Sequence, residues 1–338
     1  MVKSIEIFDP AYADVCIPVD DEGNCVIITN NSKIKEILRI AASVANSRAP
    51  ILIQGLSGTG KDVFANYIHR QSKRAPKPLI AINCAAIPSG LLESELFGYE
   101  RGAFTGADQS RPGKFELSDG GILLLDEIGE MELRLQAKLL RAIQEGIVDR
   151  IGGRKPIQVN FKLIATTNRN LKEMVGKGQF RQDLFYRINT IPIILPKLAE
   201  RREDIEAYTH WFRERFAREN QKTIRGISQG AMKQLLEFPW EGNIRELENT
   251  IERAVLLCQG TVITSQDLRL ELSTVDQDRP EVTIGGTIRE AERALILTTL
   301  KRCNGNRTQA AKHLGISLRT LRNKLARYRS ERGREMEL

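Results

Sequence analysis

Short apolar runs alternate with amphipathic stretches from Val26 to about Leu195. The runs fall at Ile51–Gln54, Leu79–Ile82, Gly121–Leu125, Phe161–Ala165 and Ile191–Leu195. Brief β-prone runs separated by helix-length segments predict a parallel sheet covered by helices on both faces. Beyond Pro196 that strand pattern stops. Three helical stretches follow, near Arg202–Glu219, Ser228–Phe238 and Asn243–Cys258, and Phe238-Pro239-Trp240-Glu241-Gly242 breaks the last two apart. They predict a small helical lid.

The flanks are different in kind. Residues 1–25 are acidic and turn-rich, too short for a core of their own, and read as a tail. The α/β segment then spans 26–196 and the lid 197–272. Polar residues with Asp276, Asp278, Pro280 and Gly285-Gly286 mark a linker at 273–286. A small all-α module is expected over 287–332, with a tail at 333–338. Its first helix shows an apolar stripe of Ile288, Ala291, Leu295, Ile296, Leu297 and Leu300, suited to packing or dimer formation.

Composition narrows the class. A 41% hydrophobic and 28% charged chain of 338 residues is ordinary for a folded protein with one large and one small core. No apolar run approaches the ~18 residues of a membrane span, and the first residues lack the order of a secretory signal, so a cytoplasmic location is expected. The five cysteines lack Cys-x-x-Cys spacing and accompany three histidines, which suggests reduced thiols and no zinc site. The net charge of +8 is concentrated: residues 301–329 hold nine Lys/Arg and no Asp or Glu. A block of that kind argues for a polyanion-binding face.

Candidate chemistry begins at Gly55-Leu56-Ser57-Gly58-Thr59-Gly60-Lys61-Asp62, between the first strand and an apolar-striped helix. Glycines let backbone N–H groups turn around phosphate oxygens, the helix offers its positive end, and Lys61 adds a point charge. The hydroxyl residue that usually follows the lysine and touches magnesium is here Asp62. Sixty-five residues after Lys61, the run Gly121–Leu125 ends in Asp126-Glu127 at the carboxyl edge of the sheet, where ligands bind. Asp126 is the candidate Mg2+ ligand and Glu127 the candidate base for water attacking a γ-phosphate. ATP hydrolysis is therefore expected. Asn168 ends the next strand and is read either as a γ-phosphate sensor or as a turn residue. Arg181 and Arg187 are candidates for stabilising a transferring phosphate, or equally for pairing with Asp183.

The segment Gly102-Ala103-Phe104-Thr105-Gly106-Ala107 reads as a glycine-bounded tip carrying one apolar anchor, or as a buried turn around a phenylalanine. Near the C-terminus, Gly315 separates two helices at helix-turn-helix distance and Ser317 is a fitting N-cap for the second. Leu318, Leu321 and Leu325 would face inward. Arg319, Thr320, Arg322, Asn323 and Lys324, with Arg307 and Thr308 on the first helix, are left for double-stranded DNA.

With these motifs assembled, residues 26–329 resemble the sigma-54-dependent transcriptional activators, the bacterial enhancer-binding proteins of the AAA+ class, with a Fis-like helix-turn-helix. The resemblance implies an AAA+ α/β fold with a five-stranded parallel sheet and helical lid, and Gly102–Ala107 as the contact with sigma-54 RNA polymerase. It implies that Asn83 restrains Glu127, that Arg181 and Arg187 reach a neighbouring subunit's nucleotide, and that Arg245 is the lid's sensor. A ring is then expected, usually a hexamer assembled from dimers. Leu56 departs from the family, which carries glutamate there; Asp62 replaces glutamate and keeps the acid. Many relatives carry a receiver or sensory domain ahead of the ATPase, so a short N-terminus leads to the expectation of control by a separate regulatory protein or by expression level, and a piece of a longer protein would look the same. Two other functions compete: a DNA-binding regulator in which nucleotide sets only the oligomeric state, and a chaperone or helicase-type motor.

Overall fold

The computed structural model describes residues 15–18, 26–270, 292–293, 295–297, 299–300 and 306–335. Two compact units result, Met1–Leu270 and Glu271–Leu338. In the first, five parallel strands form one sheet: β1 (Ile51–Gln54), β2 (Leu79–Asn83), β3 (Ile122–Asp126), β4 (Lys162–Thr167) and β5 (Ile191–Ile194). Their spatial order is β5-β1-β4-β3-β2. The register brings the carboxyl ends level, with Gln54 beside Thr167 and Asn83 beside Asp126. That alignment puts the polar residues ending four strands on one edge.

Side-chain alternation explains why the sheet is covered twice. Leu52, Leu123, Leu125, Leu163 and Ala165 point into one core with Leu96, Phe115 and Leu139. Ile51, Ile53, Ile122, Leu124 and Ile164 point into the other with Ile34, Leu38, Phe64 and Ile68. A strand buried on both faces must be apolar at consecutive positions, as these are. The lid has its own core, in which the helices Arg202–Glu219, Gln229–Glu237 and Asn243–Leu257 enclose Phe212, Trp240, Leu247 and Ile251. The Trp240 indole N–H donates to the Leu235 carbonyl at 2.8 Å, so its polar edge is satisfied while buried.

Three expectations change. Val15–Pro18 is not tail but strand, paired antiparallel with Val26–Thr29; too short for a core of its own, it borrows one, with Ile17 packing against the sheet's second cluster. Strand structure also continues past Pro196, because Gly226–Ile227 pairs in parallel with Val262–Ile263 inside the lid. The final helix, Leu318–Glu335, runs past 332 into the expected tail. The expected linker, 273–286, lies outside the described residues. No helix among the described residues is long and apolar enough to cross a membrane.

One buried cation ties the sheet to its first helix. Lys162 opens β4, and its ammonium donates to the carbonyls of Val44 and Ala45, both at 2.7 Å, at the C-terminal end of the helix Ser32–Val44. Burial, with Arg74 nearby, pulls its pKa down from 10.5 to about 8. The unfolded chain then binds more protons than the folded one between these values, so this group's contribution to stability rises with pH across that window. Urea denaturation of wild type and Lys162→Met should show a stability difference that is flat below pH 8 and moves in favour of wild type between about pH 8 and 10.5. A difference that is constant across this window would contradict the assignment.

Candidate functional site

The loop between β1 and the helix Lys61–Gln71 is built by accounting for its carbonyls. Gly58 and Gly60 take φ of 75° and 94°, in the region that favours glycine. A Cβ on Gly58 would lie 2.2 Å from the Gly242 carbonyl oxygen. Lys61 Nζ donates to the carbonyls of Gly55 at 3.0 Å and Leu56 at 3.4 Å. The lid supplies donors for the next three: Asn243 Nδ2 to Ser57 at 2.9 Å, the Ile244 amide to Gly58 at 2.9 Å, and Arg201 Nη2 to Thr59 at 3.0 Å. A peptide's C=O and N–H point opposite ways, so carbonyls directed at the lid turn the Gly58 and Gly60 amides to the other side. The following helix has no side-chain cap, which leaves its first amides and its dipole directed at the same place.

Facing the loop are the two carboxylates at the end of β3. Glu127 has a backbone φ of 52°, a strained setting for a non-glycine residue. Its Oε1 lies 3.2 Å from Lys61 Nζ and its Oε2 accepts from the Asn168 amide at 2.9 Å. Asp126 accepts from the Thr166 hydroxyl through Oδ1 and from Asn83 Nδ2 through Oδ2 at 2.9 Å. The resemblance implied that Asn83 restrains Glu127; in this structure its amide is bound to Asp126 instead, because β2 and β3 pair Asn83 directly with Asp126. Cys84 beside them is inert, its thiol pushed up to about 12 by burial and then by the charges of Asp126 and Glu127.

Between loop and lid lies a cavity of about 130 Å³ lined by Gly58, Thr59 and Gly60 and by Ile27, Tyr208, Trp211, Phe212 and Ile244. Asp62 and Arg245 also line it, and Arg245 Nη1 lies 3.4 Å from the Ser57 hydroxyl. An aromatic slot bordered by Arg215 and Glu248 and continuous with an amide-lined loop fits a nucleoside joined to phosphates. Asp126 supplies the one strand-end carboxylate that a magnesium ion bound mainly by phosphates and water needs. Leu56 is 41% exposed.

The structure gathers Gly55–Asp62, Asn83, Asp126, Glu127, Asn168 and Arg245 at one edge. It does not bring Arg181 or Arg187 there. Arg181 is paired with Asp183 at 2.7 Å, and Arg187 Nη2 donates to the Ile143 carbonyl at 3.3 Å. Residues without a sequence signal also belong to the site. Thr166 bridges Asp126 and the Glu127 amide, while Asn243 and Arg201 hold the loop.

Gly102–Ala107 forms a closed turn away from that edge, the Gly102 amide donating to the Ala107 carbonyl at 2.9 Å. Phe104 packs on Tyr99 at 4.9 Å yet stays 44% exposed, so the segment is not a buried turn around its phenylalanine but an exposed tip with one ring partly held. Ala107 is buried and closes the turn rather than presenting a surface. Under the turn, Arg150 makes a two-pronged pair with Glu116 at 2.8 and 2.6 Å and reaches Glu100 at 3.1 Å. The hydrogen bond from Arg150 is the main reason the Glu116 carboxyl is held below its usual range.

In the second unit, Gly315 has φ of 65° between the helices Arg307–His313 and Leu318–Glu335. Ser317 caps the latter by accepting from the Thr320 amide at 3.0 Å. Leu321 is buried with Ile296, Ala310, Ala311 and Tyr328. Arg307, Thr308, Ser317, Arg319, Thr320, Arg322 and Asn323 are exposed. Lys324 departs from expectation: it is half-buried and paired with Glu292 at 2.6 Å, an acid contributed from outside the basic block.

Three family models match in succession: the sigma-54 interaction domain over residues 27–194, the AAA+ ATPase lid domain over 199–284, and the bacterial regulatory protein family of Fis type over 287–328. The chain is 48% identical over 325 residues to the transcriptional regulatory protein FlbD of Caulobacter vibrioides, covering 91% of this chain and 71% of FlbD. It is also 48% identical over 310 residues to the regulatory protein AtoC of Escherichia coli, covering 89% and 67%. Among solved structures, NtrX from Brucella abortus in complex with ATP aligns with a TM-score of 0.69 at 31% identity, over 89% of this chain and 68% of NtrX. The chain belongs to the sigma-54-dependent transcriptional activators, with an AAA+ domain, its lid and a Fis-type DNA-binding helix-turn-helix.

The ion pair under the turn gives a direct test. Arg150→Ala leaves the largely buried Glu116 carboxylate without its guanidinium and should cost about 2–3 kcal/mol in urea denaturation. Adding Glu116→Ala should recover part of that loss; a double variant no more stable than the single one would show that the pair is not the source.

Proposed function

We propose that this chain hydrolyses ATP with magnesium within a ring, probed from one subunit to the next by Arg181 and Arg187, and uses Gly102–Ala107 to remodel sigma-54 RNA polymerase at promoters. The helix-turn-helix holds it on upstream double-stranded DNA. The observation that carries this reading is Glu127, held between Lys61 Nζ and the Asn168 amide at the mouth of an amide-lined loop. NtrX, which aligns over most of the chain, has been solved in complex with ATP and with ADP.

Bound magnesium and triphosphate supply the electrophile and its charge neutralisation; the rest is done by the chain. Lys61 exchanges Glu127 for phosphate oxygen, which releases Glu127 Oε1 to accept a proton from water. Asn168 keeps the other carboxylate oxygen aimed through its amide. Arg181 and Arg187 bond to Asp183 and Ile143 and to nothing in their own subunit's loop, which leaves them for a neighbouring copy's phosphates and makes a ring, usually of six, a requirement for turnover. Asn83 links the nucleotide edge to the contact turn: its Oδ1 accepts from the Ala85 and Ala86 amides at 2.9 and 3.0 Å, at the start of the chain that leads through the helix Ser89–Phe97 to Gly102.

The decisive experiment is sigma-54-dependent open-complex formation with ATP. Glu127→Gln should lose hydrolysis by about a hundredfold or more and melting with it. Thr105→Ala should keep hydrolysis and lose melting. Melting by neither wild type nor variant overturns the activator reading, and ATPase stimulated by single-stranded DNA or unfolded protein would favour a motor of another kind. On DNA, Arg319→Ala and Arg322→Ala should each weaken binding, and one that contacts phosphate should reduce the salt slope by about one. Lys324→Ala should change affinity less, since Glu292 already neutralises it.

A further inference from the structure

The strongest feature that the reading above does not use is a buried guanidinium beneath the phosphate loop. Arg201 is 1% exposed, unusual for a charged residue. Its Nη2 donates to the Thr59 carbonyl at 3.0 Å, its Nη1 lies 3.9 Å from Asp204 Oδ2, and its Nε has no hydrogen-bond partner among the described residues. Asp204 is fully buried as well, and accepts from the Thr29 hydroxyl at 3.0 Å, the Asn30 amide at 2.7 Å and the Asn31 amide at 3.2 Å. The polar chain therefore runs from the phosphate loop through the lid's first turn to the end of the strand Val26–Thr29, whose Ile27 lines the base slot.

A buried charge with incomplete pairing is expensive, and it is retained where another interaction offsets the cost. Thr59 O and the Gly60 amide belong to one peptide. A cation bound to that oxygen polarises the peptide and strengthens its N–H as a donor on the opposite, phosphate-facing side. An anion seated across the loop in turn stabilises the half-paired guanidinium.

We propose that Arg201 is a positioning residue for nucleotide phosphates: it sets the Thr59–Gly60 peptide as an anion donor and, through Asp204, couples phosphate occupancy to the strand and helix cap at Thr29–Asn31. The proposal rests on the nucleotide reading above and deepens it. It makes Arg201 matter for phosphates and not for the base.

The test uses the full chain and measures binding of ATP, ADP and adenosine by competition against a fluorescent ADP analogue, together with amide hydrogen exchange at Asn30 and Asn31. Arg201→Gln should weaken ATP and ADP by about tenfold or more, as expected for a lost charged hydrogen bond, and leave adenosine unchanged. Arg201→Lys, which keeps the charge but cannot span Thr59 and Asp204, should bind ATP at intermediate strength and lose ATP-induced protection of the Asn30 and Asn31 amides. Circular dichroism establishes that each variant is folded, and Arg201→Lys alone decides if the glutamine variant is not. Equal weakening of adenosine and ATP would reduce Arg201 to a packing role and overturn the proposal, as would wild-type affinity and protection in Arg201→Lys. Failure of wild type itself to bind ATP would sink the nucleotide reading instead, a separate result.

Discussion

The phosphate loop can present its amides only if something else satisfies its carbonyls. From Gly55 to Thr59 each carbonyl has a donor: Lys61 and the Thr59 hydroxyl serve the first two and the lid the next three. Buried carbonyls left without partners would each cost on the order of 1–3 kcal/mol. The lid is thus part of the loop's folding and not a separate cover. The steric evidence agrees: side chains are excluded at Gly58 because the Gly242 backbone sits where one would be. Any shift of the lid relative to the sheet has to break these bonds or drag the loop along, which ties nucleotide contact to lid position without an added device.

That constraint explains the strained positions nearby. Trp240 and Asn243 both take positive φ, 49° and 55°, although neither is glycine. Asn243 is fully buried, donates to Ser57 O and accepts from the Leu198 amide at 2.9 Å. The side chain thereby joins the loop to the connection leaving the sheet. Strain of this kind persists where the surroundings over-determine it. Here the Asn243 side chain's bonds to Ser57 and Leu198 and the packing of Trp240 in the lid core do so.

Much of this was legible beforehand. The five strands appear within about two residues of the apolar runs that predicted them, and the pattern is plainest in β1 and β3, which are buried and apolar at consecutive positions. The helix Arg202–Glu219 appears over the residues read from its pattern. Asp126 and Glu127 were legible because their run ends at a sheet edge. What escaped was long-range pairing. Arg201 and Asp204 sit in Glu200-Arg201-Arg202-Glu203-Asp204, which in sequence looks like any solvated helix start, and only the fold buries two of those five charges. Thr166 was hidden inside an apolar strand. Glu292 lies upstream of the basic block, so counting charges within the block overstated how many cations were free to meet DNA.

Arg181 and Arg187 show how far one chain goes toward a complete site. Sequence left them open between phosphate contacts and partners for Asp183, and within one subunit the second outcome is realised for Arg181. That pair is largely exposed, and solvent screens an exposed pair so that it holds its side chains only weakly. Charge-assisted bonds to phosphate are stronger than an exposed ion pair, so the proposed contact with another copy's phosphate would outcompete this one. The same side chain is therefore parked without being locked. Lys61 follows the same logic on the other side of the site, where its contact with Glu127 is one that the proposed phosphate would have to displace.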